Sequence, residues 1–186
     1  MNDAVKEFGK RALAAEDIRS KDVLEVGSYN VNGSLSDWVN EHSPASYDKT
    51  DSRPGPDVDK VLDVCDALAE YGPDSFDLVF STETLEHVED WLVAVENMKQ
   101  MVRPCGVVVL TARAPGATRH DHPGDYWRFS CDAMSRIFGD WTVELLEPDP
   151  GALKSPCKAG AFVKARKPEG PYNPITIEAG WVEPAP

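Results

Sequence analysis

Residues 106–112, GVVVLTA, form a nearly unbroken apolar run. Side chains of a strand alternate between the two faces of its sheet. A strand with no polar alternation is therefore one covered on both faces, the environment of a parallel sheet packed between helices. Two further segments, DVLEV (22–26) and FDLVFS (76–81), read the same way. ASYDKT (45–50) and VDKVLDV (58–64) are weaker strand signals. Helical signals separate them. SLSDWVNEH (34–42) places Leu35, Trp38 and Val39 on one face, and DALAEYG (66–72) is a brief helical turn. In ETLEHVEDWLVAVENMKQMV (83–102), Leu85, Val88, Leu92, Val95, Met98 and Val102 recur every three or four residues, which predicts the longest helix. A further helix is expected over 131–141. TVELLE (142–147) and GAFVKAR (160–166) close the sheet as an antiparallel pair. This alternation predicts an α/β fold with an open, doubly wound sheet.

The 186 residues suit one such domain. It is framed by an N-terminal helix over 3–18 and a proline-rich, irregular tail over 168–186. No run of 18 apolar residues predicts a membrane span, and the first twenty residues lack the apolar core of a signal peptide. Cys65, Cys105, Cys131 and Cys157 form no CxxC pair, so neither a zinc knuckle nor a redox pair is indicated. A reduced, cytoplasmic protein is the expectation. The net charge of −13 works against a nucleic-acid partner. Between Asp51 and Asp90 twelve acidic residues face two basic ones, Arg53 and Lys60. That imbalance reads either as solvated surface or as a field favouring a cationic ligand.

In a doubly wound sheet, ligands bind beyond the C-terminal strand ends. The first strand stops at Gly27, and Gly33 follows six residues later. Gly27 permits a tight turn and close backbone approach. Ser28, Asn30 and Asn32 supply short polar groups that tolerate turn conformations. The loop is neither a P-loop nor GxGxxG, and it contains no Lys or Arg. Asp51 ends the second strand, where a carboxylate accepts hydrogen bonds from both ribose hydroxyls. Asp66 follows the third strand, placed to accept an adenine amino proton, with the Ala67 N–H beside it for a ring nitrogen. Either aspartate also reads as a helix cap. Glu25 faces the same crevice. Carboxylates without a phosphate cradle suit a positively charged nucleoside, and S-adenosylmethionine is one.

At VLEVGSYNVNGS (23–34), YDKTD (47–51), DVCDA (63–67), SFDLVFSTETLEHV (75–88) and HPGDYWRFS (122–130), the sequence resembles the class I S-adenosylmethionine-dependent methyltransferases. The likeness is to the small methyltransferase-domain (type 11-like) group. It implies a Rossmann-like, seven-stranded sheet of order 3-2-1-4-5-7-6, six strands parallel and one antiparallel. It implies S-adenosylmethionine as cofactor, held by Glu25, Gly27, Ser28, Asn32 and Gly33 in the first loop. Asp51 would hold the ribose, Asp66 and Ala67 the adenine, and Thr82 and Glu83 would border the methionine moiety. Two positions depart from the family pattern. Tyr29 stands where a middle glycine is usual, and Lys49 where a glycine is frequent.

Methyl transfer is an in-line displacement in which the enzyme aligns the acceptor and excludes water. Glu83, Glu86 and His87 share a face if residues 83–102 are helical. The triplet resembles the E-x-x-E-H of metal-dependent O-methyltransferases, and the same residues also read as structural or cofactor-side groups. RHDHPGDYWRFS (119–130) follows the fifth strand and should cover the crevice. His122 and His120 are its expected bases. Within DYWRF, either Tyr126 and Trp127 wall the acceptor, or Trp127 and Phe129 anchor the loop while Asp125 and Arg128 pair. The expected activity is methylation of a small-molecule or glycan acceptor. Oxygen is the expected acceptor atom, with nitrogen and carbon open, and a homodimer is possible. A cofactor-binding module without turnover is the alternative. A nicotinamide oxidoreductase is disfavoured by the missing GxGxxG.

Overall fold

A computed structural model describes residues 2–121, 124–150, 160–170 and 174–186. Helices α1 (Asp3–Ala12) and α2 (Ala15–Ile18) lead into β1 (Asp22–Val26). Then follow α3 (Ser36–Glu41), β2 (Ser46–Asp51), β3 (Lys60–Val61), α4 (Ala67–Tyr71) and β4 (Phe76–Thr82). A 3-10 turn at Leu85–His87 precedes α5 (Trp91–Met101) and β5 (Val102–Arg113). The chain continues through β6 (Trp127–Arg128), α6 (Cys131–Ile137), β7 (Thr142–Pro148), β8 (Gly160–Arg166) and β9 (Glu183–Pro184).

The main sheet has seven strands in the order β3-β2-β1-β4-β5-β8-β7. The β1–β2, β1–β4, β2–β3 and β4–β5 pairs are parallel, and β8 runs antiparallel between β5 and β7. This is the expected Rossmann-like topology, since β8 and β7 are its seventh and sixth strands. Strand alternation sorts the core into two layers. Leu24, Val26, Val79, Val108 and Leu110 point to one face, with Ala94, Val95 and Met98 of α5 and Met134 of α6. Val23, Leu78, Phe80, Val107 and Val109 point to the other, with Val5 and Phe8 of α1 and Val39 of α3. Each Val, Leu, Phe or Met among them contributes about 1.5–3 kcal/mol on full burial. The apolar run of β5 is thus covered on both sides.

Three expectations are corrected. The N-terminal helix breaks at Leu13–Ala14 into α1 and α2. The turn brings Asp17 to β8, where Lys164 and Arg166 donate to its carboxylate at 2.6 and 2.9 Å. The helix expected over 83–102 begins only at Trp91. Glu83 takes φ +54, and the carbonyls that would propagate a helix are used elsewhere. Tyr126 N–H donates to the Glu86 carbonyl at 2.8 Å, and the Trp127 indole to that of Glu89 at 2.9 Å. The proline-rich tail is anchored rather than irregular throughout. Ile177 and Val182 enter the core, β9 pairs with β6, and Ala185 N–H donates to the Tyr126 carbonyl at 2.7 Å. Among the described residues no helix is long and apolar enough to cross a membrane.

Candidate active site

A cleft of about 880 Å³ opens at the C-terminal ends of β1, β2 and β4. Its floor begins at Gly27, which takes φ +77. A Cβ there would lie 2.0 Å from Thr84 Oγ1, so the close approach requires glycine. The Gly27 and Ser28 N–H groups both donate to the Thr50 carbonyl, at 2.8 and 2.9 Å, fastening the loop to β2. Asn30 Oδ1 accepts from Gly33 N–H at 2.8 Å, three residues on, and closes the loop on itself. Gly33, at φ +116, lies against the Lys6 ammonium of α1. Asn32 lines the cleft. The Ser28 hydroxyl is buried and has no hydrogen-bond partner among the described residues.

Asp51 lies where β2 ends. Its carboxylate accepts from the Tyr29 N–H at 3.2 Å and from the Arg53 N–H at 3.0 Å. Both contacts are backbone donors to a charged acceptor, which fix the side chain and leave further lone pairs open. Glu25 is 3% exposed and accepts from the Tyr47 hydroxyl. Burial pushes its carboxyl up to about 7.

Thr82 and Glu83 end β4. The Glu83 N–H donates to the Thr111 carbonyl at 2.9 Å, and the Thr111 hydroxyl donates to its carboxylate at 3.3 Å. Glu86 is 1% exposed, and neither carboxyl oxygen has a hydrogen-bond partner among the described residues. Burial raises both carboxyls, and the neighbouring Glu86 charge raises Glu83 further. His87 Nδ1 meets the Gly124 carbonyl. A carbonyl only accepts, so Nδ1 carries a proton toward it. Nε2 lies 4.0 Å from Glu86 Oε1.

Of the residues expected at the site, Glu25, Gly27, Ser28, Asn32, Gly33, Asp51, Thr82, Glu83 and His120 all line this cleft. Asp66 and Ala67 do not. Ala67 is buried in the core, and Asp66 is exposed at the start of α4. The reason is the length of β3, which ends at Val61 rather than at Val64. Leu62, Asp63, Val64 and Cys65 therefore occupy the strand's exit and line the cleft instead. The Glu83-Glu86-His87 triplet does not lie along one helix, and among the described residues no three His, Cys, Asp or Glu side chains are grouped to hold a metal ion. His120 is exposed, its ring centroid 5.8 Å from that of His87. His122 lies outside the described residues.

The DYWRF segment is an anchor with one outward residue. Arg128 is 2% exposed and donates to both Asp125 oxygens, at 2.5 and 2.6 Å, and Phe129 packs edge-on against Trp91. Tyr126 is exposed on the cleft. Several further lining residues were not expected at the site, Arg113, Asn2 and Asp149 among them. Arg113 is the first charge after the apolar run of β5, a signal that was legible. Asn2 Nδ2 donates to Asp149 at 3.1 Å, a contact across 147 residues that no local pattern announces.

A Rossmann-like sheet with this strand order, a glycine-turned first loop and a carboxylate-lined crevice defines a class I methyltransferase architecture. The chain belongs to the methyltransferase-domain family, whose sequence profile matches residues 1–140. No curated protein sequence matches it. Among solved structures it is similar to 1,6-didemethyltoxoflavin-N1-methyltransferase of Burkholderia thailandensis, at 15% identity and TM-score 0.66 over 89% of this chain and 79% of that one. It is also similar to the N-methyltransferase NodS of Bradyrhizobium japonicum WM9, at 17% identity and TM-score 0.62 over 90% and 98%. The cyclase SpnF shares the fold at 13% identity and TM-score 0.61 over 89% and 80%.

Proposed function

We propose that the protein transfers the methyl group of S-adenosylmethionine to a small polar acceptor by in-line displacement. The observation that carries this reading is the cleft, where Asp51, Glu25 and Glu83 converge on a first loop without Lys or Arg. The residues fit the cofactor. Ser28 offers an unpartnered buried hydroxyl, and the carboxyl-rich lining suits a cation. When bound, the cofactor supplies an electrophilic methyl group on a positively charged sulfur.

The chain's own residues divide the work along the cleft. Asp51, held by two backbone N–H groups, accepts from the ribose hydroxyls. Leu62 to Cys65 border the adenine. Glu25 and Glu83, raised by burial, ionise more readily beside a cation and so favour it. Arg113, His87, His120 and Tyr126 line the far end, where they orient the acceptor and exclude water. In this reading His87, through Nε2, and the exposed ring of His120 are the candidates to take a proton from a hydroxyl or amine, since both line the cleft. Ile177 and Val182 share the core with α5, which supports reading the whole chain as one domain.

Calorimetric titration with S-adenosylmethionine and S-adenosylhomocysteine, with NAD as control, tests the reading. Micromolar binding of the first two and none of the third is expected. Binding of neither, or of NAD alone, removes it.

A further inference from the structure

Tyr29 occupies the position where the family pattern has a glycine, and the structure provides for its bulk elsewhere. Gly55 lies in the turn after β2 and does not have a positive φ, so its backbone does not demand glycine. Space does. A Cβ at Gly55 would lie 2.0 Å from Tyr29 Cε2 and 2.5 Å from Cδ2, so the phenol ring rests directly on the bare backbone. The Arg53 guanidinium stacks on the ring, 5.2 Å from its centroid. Asn30 extends the contact, its N–H donating to the Pro56 carbonyl at 3.0 Å and its side-chain amide to Asp57 at 2.7 Å. The first loop and the turn after β2 are thus clasped, 26 residues apart in sequence.

Asp51 sits inside this clasp. One of its oxygens takes the Tyr29 N–H and the other the Arg53 N–H, the two residues whose side chains stack on each other. We infer that the Tyr29–Gly55 contact is a positioning device for Asp51, setting the carboxylate for the two hydroxyls of the cofactor's ribose. The inference rests on reading the cleft as an S-adenosylmethionine site. Tyr29 and Gly55 are positioning residues, since they act through Asp51. A side chain at Gly55 expels the Tyr29 ring and loosens the N–H donors that hold the carboxylate. Removing the Tyr29 ring has the same consequence by a milder route.

The test measures binding of S-adenosylhomocysteine and of its 2′,3′-dideoxy analogue to the full chain and to Gly55→Ala, Tyr29→Ala and the double variant. The parent protein should prefer the ribose form. Gly55→Ala should weaken S-adenosylhomocysteine binding about ten-fold, the scale of one hydrogen bond to a charged group. The dideoxy analogue should be little affected, so the preference collapses. A purely structural role would weaken both ligands alike. Tyr29→Ala should shrink the preference at an unchanged melting temperature. The double variant should bind like Tyr29→Ala alone, because the clash no longer has a partner. An unchanged preference in either single variant overturns the inference, as does a double variant that adds both losses. If the parent protein binds neither ligand, the cofactor reading itself fails, a different result from a parent that binds and variants that do not respond.

Discussion

Replacing Asp125 with alanine should be among the most damaging single changes to this protein. The Asp125 side chain is fully buried and pairs with Arg128, which is 2% exposed. Burial alone would push the Asp125 carboxyl up. The Arg128 guanidinium and the His120 N–H, which donates at 2.6 Å, outweigh it and hold the carboxyl below its usual value. The substitution leaves the guanidinium buried without its counter-charge. Breaking a buried pair from one side costs about 3–5 kcal/mol, which for a chain of this size lowers the melting temperature by about 6–20 °C. The assay is thermal unfolding at pH 7, with Asp121→Ala as the control. Asp121 pairs with Arg119 in the same loop but both are exposed, so its loss should leave the melting temperature unchanged. The pH dependence has a definite sign. A depressed carboxyl stabilises above its unfolded value, and the contribution disappears as pH falls through the lower folded value. The gap between the parent and Asp125→Ala should therefore narrow in acid. A loss of only one or two degrees, equal to that of the Asp121 control, refutes the reasoning.

Other outcomes follow from the cleft. Asp51→Ala should weaken S-adenosylhomocysteine binding by about 10- to 100-fold, the loss of one hydrogen bond to a charged group or more, read by calorimetry. Because burial raises Glu25 to about 7, S-adenosylmethionine affinity should rise with pH between about 6 and 8 as the carboxyl ionises; Glu25→Gln should flatten the profile. The same group's contribution to stability is fully present below its unfolded value and is lost as pH rises through about 7, so Glu25→Gln should gain stability relative to the parent as pH rises. Ending the chain at residue 176 removes Ile177, Val182 and the β9 pairing, and should raise amide hydrogen exchange at Tyr126 and Arg128.

What the sequence made legible was whatever a local pattern encodes. The β1, β4 and β5 segments announce themselves as apolar runs, and Gly27 as the glycine that stops one of them. The break between Glu83 and Trp91 was not legible. Leu85, Val88, Leu92 and Val95 keep a helical period whether they lie on one helix or on a turn followed by one, since both face the sheet. What decides between them is the competition of Tyr126 and Trp127 for the Glu86 and Glu89 carbonyls, groups about 40 residues away. VDKVLDV (58–64) reads as one strand, which puts Asp66 just past its end, whereas only two of its residues pair with β2 and Asp63 falls at the strand's exit. Gly55 gave no signal, because its reason is the Tyr29 ring. The tail looked irregular because prolines mask two apolar anchors, Ile177 and Val182.

The position of the thiols has a practical consequence for labelling. Cys65 lines the cleft, but burial and the adjacent Asp63 push its thiol up to about 12, so at neutral pH it carries almost no thiolate. Cys131 is likewise raised by burial. Cys105 is exposed in the first part of β5, at the end of the sheet opposite the cleft. Among the described cysteines, a maleimide dye should therefore mark Cys105 first, placing a reporter on the protein that leaves the cofactor's path clear.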